Sequence, residues 1–225
     1  MRDGKFINII MCHPDDEIIF GWPILKKALH EHLSLRILML VDDKVQYKDR
    51  RIKAFHKTVQ ILKESGITIE ESKVCTGRNS NFYKNDIRDG TMMSVVADVD
   101  DFLKNQENEK SAVFTHNLWG EYGHRDHIEC NNIVTQISLS KGLPIFMSDM
   151  TLIDTPWSFT SKEYFGKMSP VYSGFFENAE EYEMCNEMQK IYKLSQLEYQ
   201  RLGVWTWSKK PILSAKIARF GGFDG

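Results

Sequence analysis

Two short runs hold residue types that work together chemically. The first is His13-Pro14-Asp15-Asp16-Glu17, which sets an imidazole beside three carboxylates. The second is Gly123-His124-Arg125-Asp126-His127, with two imidazoles around a further carboxylate. A catalytic zinc takes three protein ligands from His, Asp and Glu and keeps a fourth position for water. His13, Asp15, Asp16, His124, Asp126 and His127 suffice for such a ligand set, with groups left over to act as base, supporting partner and charge stabiliser. Each run also has a plain structural reading. Asp and Pro form turns, and Asp126 with Glu129 three residues on fits a helix capping box. A helix starting at Asp126 would put His127 in its first turn. There the positive end of the dipole disfavours imidazolium and keeps the ring in the form a metal requires.

The elements that must position these runs follow from hydropathy patterning. Strand-length apolar runs alternate with amphipathic stretches of helix length, which predicts an α/β fold with a parallel sheet. Residues 5–12 (KFINIIMC) form a nearly continuous apolar run, as expected for a strand covered on both faces, and His13 follows directly. Pro23 suits the first turn of the next helix. Residues 35–41 predict a second strand, 50–65 a helix ended by Gly66, 67–75 a third strand and 90–105 a helix with one apolar stripe. Residues 112–115 predict a strand that leads into the second run, 126–139 a helix, and 143–147 a strand. We expect one long helix over 177–202 and irregular structure in the last twenty residues; 148–176 carry no clear period. With no repeat and no linker, residues 1–225 read as a single domain. Both chemical runs then fall where predicted strands end, and ligands of open α/β sheets bind outside the carboxyl ends of the strands.

Composition narrows the function classes. The 225 residues carry 29 basic and 31 acidic side chains, 42% hydrophobic residues and only 14 Gly and 6 Pro, an ordinary globular balance. A nucleic-acid binder would show a basic surplus or patch. The one basic cluster, Lys48 to Lys53, is short and interrupted by Asp49. Cys12, Cys75, Cys130 and Cys185 lie far apart with no CxxC pair, so neither a disulfide framework nor a structural zinc site is expected. Alternation along the first strand points Cys12 away from the ligand His13. The apolar start is too short and too soon charged for a signal peptide or membrane span. The expected location is the cytoplasm.

The paired signature, HPDDE after the first strand and HxxDH later, resembles the zinc-dependent de-N-acetylase family, which includes the N-acetylglucosaminyl-phosphatidylinositol de-N-acetylases and the LmbE-like enzymes. Gly21 falls on the first of two family glycines, with Trp22 in place of the second, and Ser195-Gln196 gives a weak late match. The resemblance in element order covers about residues 5–150. It implies a three-layer αβα fold with a Rossmann-like, mostly parallel sheet. It also implies metal ligands His13, Asp16 and His127 and a general base at Asp15. His124 would be the acid or electrostatic partner, kept oriented and basic by Asp126, with Tyr122 reaching the oxyanion and Arg51 contacting substrate. Ala54 stands where the family carries a Glu after that arginine.

The implied reaction is hydrolysis of an N-acetyl group from an amino sugar or its conjugate, free, nucleotide-linked or lipid-linked, with Zn(II) as the metal and Fe(II) or Co(II) as substitutes. The sequence gives no indication of oligomeric state. Two rivals share the site: a metal-dependent amidase on a non-sugar amide, and a catalytically silent sugar-binding protein. Retention of Asp15, His124 and Asp126 beside the ligands argues against the second. His30, His32 and His56 read as surface or packing residues. His116 is a candidate for a supporting role, Glu121 reads equally as a pocket or an exposed loop acid, and Trp119, Trp157, Trp205 and Trp207 are candidates for a sugar-stacking wall or for the core.

Overall fold

In the computed structural model the opening apolar run forms β1 (Phe6–Met11), and its alternation sets the layering. Residues 6–82, 91–106, 110–149, 176–207 and 210–220 are described. Ile7, Ile9 and Met11 pack on one side of the sheet, with α2 (Trp22–Glu31), α4 (Arg50–Glu64) and α8 (Asn186–Arg201). Ile10 and Cys12 face the other side, toward α5 (Thr91–Phe102) and α7 (Arg125–Ser140). β2 (Ser34–Met39) alternates likewise, with Leu35, Ile37 and Met39 in the first layer and Leu38 in the second. The three-layer αβα expectation is met.

β3 (Thr68–Val74), β4 (Ser111–Thr115), β5 (Ile145–Asp149), β6 (Phe176–Glu183) and β7 (Ser214–Phe220) complete a seven-stranded sheet of order β3-β2-β1-β4-β5-β7-β6. The five strands β1 to β5 are mutually parallel, and β7 pairs antiparallel with both β5 and β6. The chain winds outward from β1 to β3 and then returns to place β4 on the other flank of β1. That reversal opens a crevice between the carboxyl ends of β1 and β4. Both chemical runs begin there.

Between β1 and α2, the four-residue helix α1 (Asp16–Ile19) turns the chain back over the sheet. A Cβ on Gly21 would stand 2.4 Å from the Glu17 carbonyl oxygen, so α1 and α2 meet this closely only with glycine at the join. Pro23 lies in the first turn of α2, as expected.

Two expectations for the carboxyl-terminal part are corrected. Residues 176–183 are a strand and the helix starts at Asn186. The Glu-rich 177–183 segment has good helix propensity, but pairing with β7 overrides it, and Lys27 of α2 reaches Glu180 (3.1 Å) and Tyr182 (3.3 Å) of this edge strand. Nor are the last residues irregular throughout, since 214–220 form β7 inside the sheet. Most of 148–176, Trp157 included, lies outside the described residues. Among those described, no helix is long and apolar enough to cross a membrane.

Candidate functional site

The turn after β4 is built by glycine. The one-turn helix α6 (Gly120–Gly123) carries left-handed backbone at Gly120 (φ 62), Glu121 (φ 58) and Gly123 (φ 88), which bends the chain sharply between β4 and α7. A Cβ on Gly120 would meet Ile128 at 3.0 Å, so the turn packs directly on α7. Bent this way, Glu121 points inward and is buried; an exposed loop acid is excluded. Its carboxylate accepts from the Asn117 N–H at 3.1 Å, and its own N–H donates to Asn117 Oδ1 at 2.8 Å.

Glu121 joins two histidines. It lies 2.7 Å from His127 Nδ1 and 3.0 Å from His116 Nδ1, and the two rings stack with centroids 3.9 Å apart. Burial alone would push the Glu121 carboxyl up, but His116 and His127 outweigh it and hold it down to about 2. An ionised carboxylate only accepts, so both Nδ1 atoms carry the proton and both Nε2 atoms are left to face Asp16. His116 Nε2 is 3.3 Å and His127 Nε2 3.5 Å from Asp16 Oδ2. His116 Nε2 also accepts the Cys12 backbone N–H at 3.0 Å.

Asp16 is the centre of the cluster. Its Oδ2 accepts the His13 N–H at 2.7 Å and lies 3.4 Å from His13 Nδ1. Burial opposes its ionisation, yet His127, His116 and His13 together hold it well below the usual carboxylate range. His13 Nε2 lies 3.1 Å from Ser80 Oγ and 3.4 Å from Asp126 Oδ2. Burial works against charge on His13, but Asp126 and Asp16 outweigh it and lift the ring to about 9. The cage favours a cation at this point, whether proton or metal.

His13, Asp16 and His127 bring one ligand atom each within 4.8 Å of one another, all three buried. The donor set fits a divalent ion: two imidazoles and an ionised carboxylate, with His127 backed by Glu121 in the carboxylate–histidine–metal arrangement that fixes a ligand's tautomer. Burial, with His116 beside it, lowers His127, which favours the neutral ring. Among the described residues two other buried groups converge as closely, Cys12-His13-Asp126 and His116-Glu121-His127. Alternation does not carry Cys12 out of reach, since its Sγ is 3.6 Å from His13 Nε2. Burial pushes that thiol well up, which disfavours the thiolate a metal would bind.

Asp15 stands beside this cluster in a backbone conformation rare for a residue with a side chain, φ 117 and ψ −23. Its carboxylate is 1% exposed; Oδ1 accepts from Arg51 Nη2 at 3.0 Å and Oδ2 from Thr206 Oγ1 at 2.7 Å. Burial pushes the carboxyl up to about 6 against the pull of Arg51. Arg51 is itself buried and pairs also with Asp43, whose other oxygen accepts from the Ser80 N–H at 2.6 Å. Behind Asp15, Glu17 accepts its N–H at 2.9 Å and the Tyr199 hydroxyl at 2.6 Å.

His124 is half-buried, stacked on His127 at 4.4 Å, and its Nδ1 has no hydrogen-bond partner. Among the described residues Asp126 makes no hydrogen bond to it: the Asp126 carboxylate lies 3.4 Å from His13 Nε2 and accepts the Asn81 N–H at 2.8 and 2.9 Å. Burial, His127 and His13 lower His124 to about 3, outweighing Asp16 and Asp126, which raise it. The helix starts at Arg125 with His124 at the cap and no side-chain cap bond, so the capping box does not form either. Tyr122, Phe20 and Trp207 meet edge-on or tilted, with centroids 5.5 to 6.2 Å apart. They join His13, Asp16 and His127, with Asp15, Arg51 and His124, around a cavity of about 160 Å³. Of the candidate tryptophans only Trp207 lines it among the described residues; His30, His32 and His56 are exposed, as expected.

Asp43, Ser80 and Thr206 are additions that the sequence did not place in the site, and Glu121, left open there between pocket and exposed loop, is buried in it. Two left signals. Asp42-Asp43 follow β2 much as Asp15-Asp16 follow β1, and glycines on both sides of Glu121-Tyr122 mark a turn able to aim a side chain inward.

The same fold recurs among known proteins. The fold matches the zinc-inhibited form of teicoplanin deacetylase Orf2 at 13% identity and TM-score 0.60, covering 98% of this chain and 100% of that one. It matches the A40926 pseudoaglycone deacetylase Dbv21 at 11% identity and TM-score 0.59, over 94% and 95% of the two chains. It also matches the N,N'-diacetylchitobiose deacetylase of Pyrococcus horikoshii at 16% identity and TM-score 0.56, over 91% of this chain and 72% of that one. These identities speak for the fold alone. No curated protein sequence matches. The sequence profile of the GlcNAc-PI de-N-acetylases matches residues 8–138, more than half the chain and inclusive of both chemical runs, and the chain belongs to that PIG-L family.

Proposed function

We propose that this chain is a metal-dependent de-N-acetylase acting on an N-acetylated amino sugar or its conjugate, folded as a single domain. The observation that carries the reading is the convergence of His13, Asp16 and His127 within 4.8 Å beside a carboxylate, Asp15, that is fixed by two donors. Zn(II) suits the donor set, and Fe(II) or Co(II) fits it as well. The aromatic lining of Phe20, Tyr122 and Trp207 and the small cavity support a sugar-sized substrate. The deacetylases of like fold named above support the class of reaction.

A divalent ion held by His13, Asp16 and His127 would supply the charge that acidifies water and polarises an acyl oxygen. Asp15 takes the proton of the attacking water; burial tunes its carboxyl upward to about 6, near the optimum for a base that must later give the proton back. The neutral His124, with Nδ1 unpartnered at the cavity, meets the oxyanion or the departing amine. The Tyr122 hydroxyl, kept protonated by burial, is a further oxyanion donor. Arg51 holds Asp15 from behind and faces the cavity. The products are acetate and a free amine.

Metal content by elemental analysis, wild type beside His13→Ala, with acetate release from N-acetyl sugars, tests the reading. One metal per chain lost in the variant, together with metal-dependent acetate release, supports it. No metal after reconstitution at neutral pH sinks it.

A further inference from the structure

We infer that Thr206 is a positioning residue: its hydroxyl fixes the rotation of the Asp15 carboxylate, so the chain beyond the family match completes the site. The inference rests on the proposed role of Asp15 as base.

Asp15 has two carboxylate oxygens, and the fold gives each its own donor. Arg51 reaches Oδ1 from α4, and Thr206 reaches Oδ2 from the segment after α8, 191 residues along the chain. With one donor the carboxylate could swing about the bond to its Cβ; with two on opposite oxygens it cannot. The second donor is uncharged, so it orients the group without neutralising it. A second arginine would orient it too but would hold the proton-accepting charge more tightly.

Thr206 is itself pinned. The chain leaves α8 through Gly203 (φ 67), and the Val204 N–H returns to the Tyr199 carbonyl at 2.9 Å. Val204 is buried with Ala54 and Tyr199, and Trp207 is buried against Phe20 and Tyr122. Between these anchors Thr206 is exposed at the cavity mouth, and among the described residues its hydroxyl bonds to Asp15 alone. An exposed threonine buries little apolar area, so packing does not account for it. The same stretch of chain holds Asp15 a second way, through Tyr199, Glu17 and the Asp15 N–H. A backbone at φ 117 is strained for a residue with a side chain and persists only where its surroundings over-determine it.

The test compares metal-loaded wild type, Thr206→Val and Thr206→Ser on N,N'-diacetylchitobiose and N-acetylglucosamine, with metal content, Tm and crystal structures of all three. We expect Thr206→Val to keep its metal and Tm while kcat falls about 10- to 100-fold at unchanged KM. Its Asp15 carboxylate should be rotated, and Thr206→Ser should recover most of the rate. Unchanged kcat in Thr206→Val, a raised KM alone, or a serine variant as slow as the valine one overturns the assignment. The structures separate the two ideas. If the wild type releases no acetate yet the carboxylate turns in Thr206→Val, the positioning holds and the proposed reaction falls. A carboxylate that keeps its place overturns the positioning whatever the activity.

Discussion

Glu121 Oε2 accepts the Nδ1 proton of His127 at 2.7 Å and thereby leaves the far nitrogen of that ring aimed at Asp16. Glu121→Gln can offer an NH2 group or a carbonyl there but no charge, so it weakens the hold on the tautomer. We expect metal affinity to fall about 10- to 100-fold, read by competition with a chelator of known affinity. Equal affinity in the variant would mean that Glu121 serves only the turn.

Asp15 and Asp16 are neighbours with opposite environments. Asp16 faces three imidazoles, and Asp15 faces a guanidinium and a hydroxyl. Asp15→Asn should retain its metal and lose about 10²- to 10⁴-fold in kcat, whereas Asp16→Asn should lose the metal. Metal analysis of the two variants decides the division, and the reverse pattern would exchange their roles.

Arg51 is expected from the family to contact substrate, and in the fold it is buried between Asp15 and Asp43. Removing it strands two buried carboxylates. Arg51→Met should therefore cost about 3–5 kcal/mol in urea unfolding, besides any loss of activity. Wild-type stability with a raised KM would leave Arg51 as a substrate contact alone.

Cys12, Cys75 and Cys130 are buried and Cys185 is half-buried. Burial raises the first three thiols, Cys75 to about 11, and the thiolate is the reactive form. Native protein treated with iodoacetamide near pH 8 should be alkylated first at Cys185, with the others following only on unfolding. Peptide mass spectrometry reads this directly, and early labelling of Cys12 would show the metal cluster open to reagent.

The sequence made β1, β2 and β4 legible because each is a buried run, read at residues 5–12, 35–41 and 112–115. It failed at 177–183, where four Glu favour helix and only the partner strand, distant in sequence, makes the segment extended. The site divides the same way. His13, Asp15, Asp16, His124, Asp126 and His127 stand out as a group by type and spacing, and the resemblance picks the ligands among them, but nothing local to Thr206 or Ser80 marks it, because its role exists only through partners brought from elsewhere in the fold. Asp126 is of this kind too. The resemblance pairs it with His124, while the first turn of α7 also brings its carboxylate to His13.

The interior place of β7 has a consequence for the order in which the protein is made. By the time synthesis reaches residue 150, all five parallel strands and His13, Asp16 and His127 exist, so a nascent chain already has the side chains proposed to hold a metal. Tyr199, Thr206 and Trp207 emerge later, and β7 after them. Until β7 docks between β5 and β6, β5 presents a bare edge open to pairing with another chain. The strand that relieves this hazard follows soon after the residues that finish the cavity, so the chain becomes safe from edge pairing and completes its candidate site at nearly the same moment.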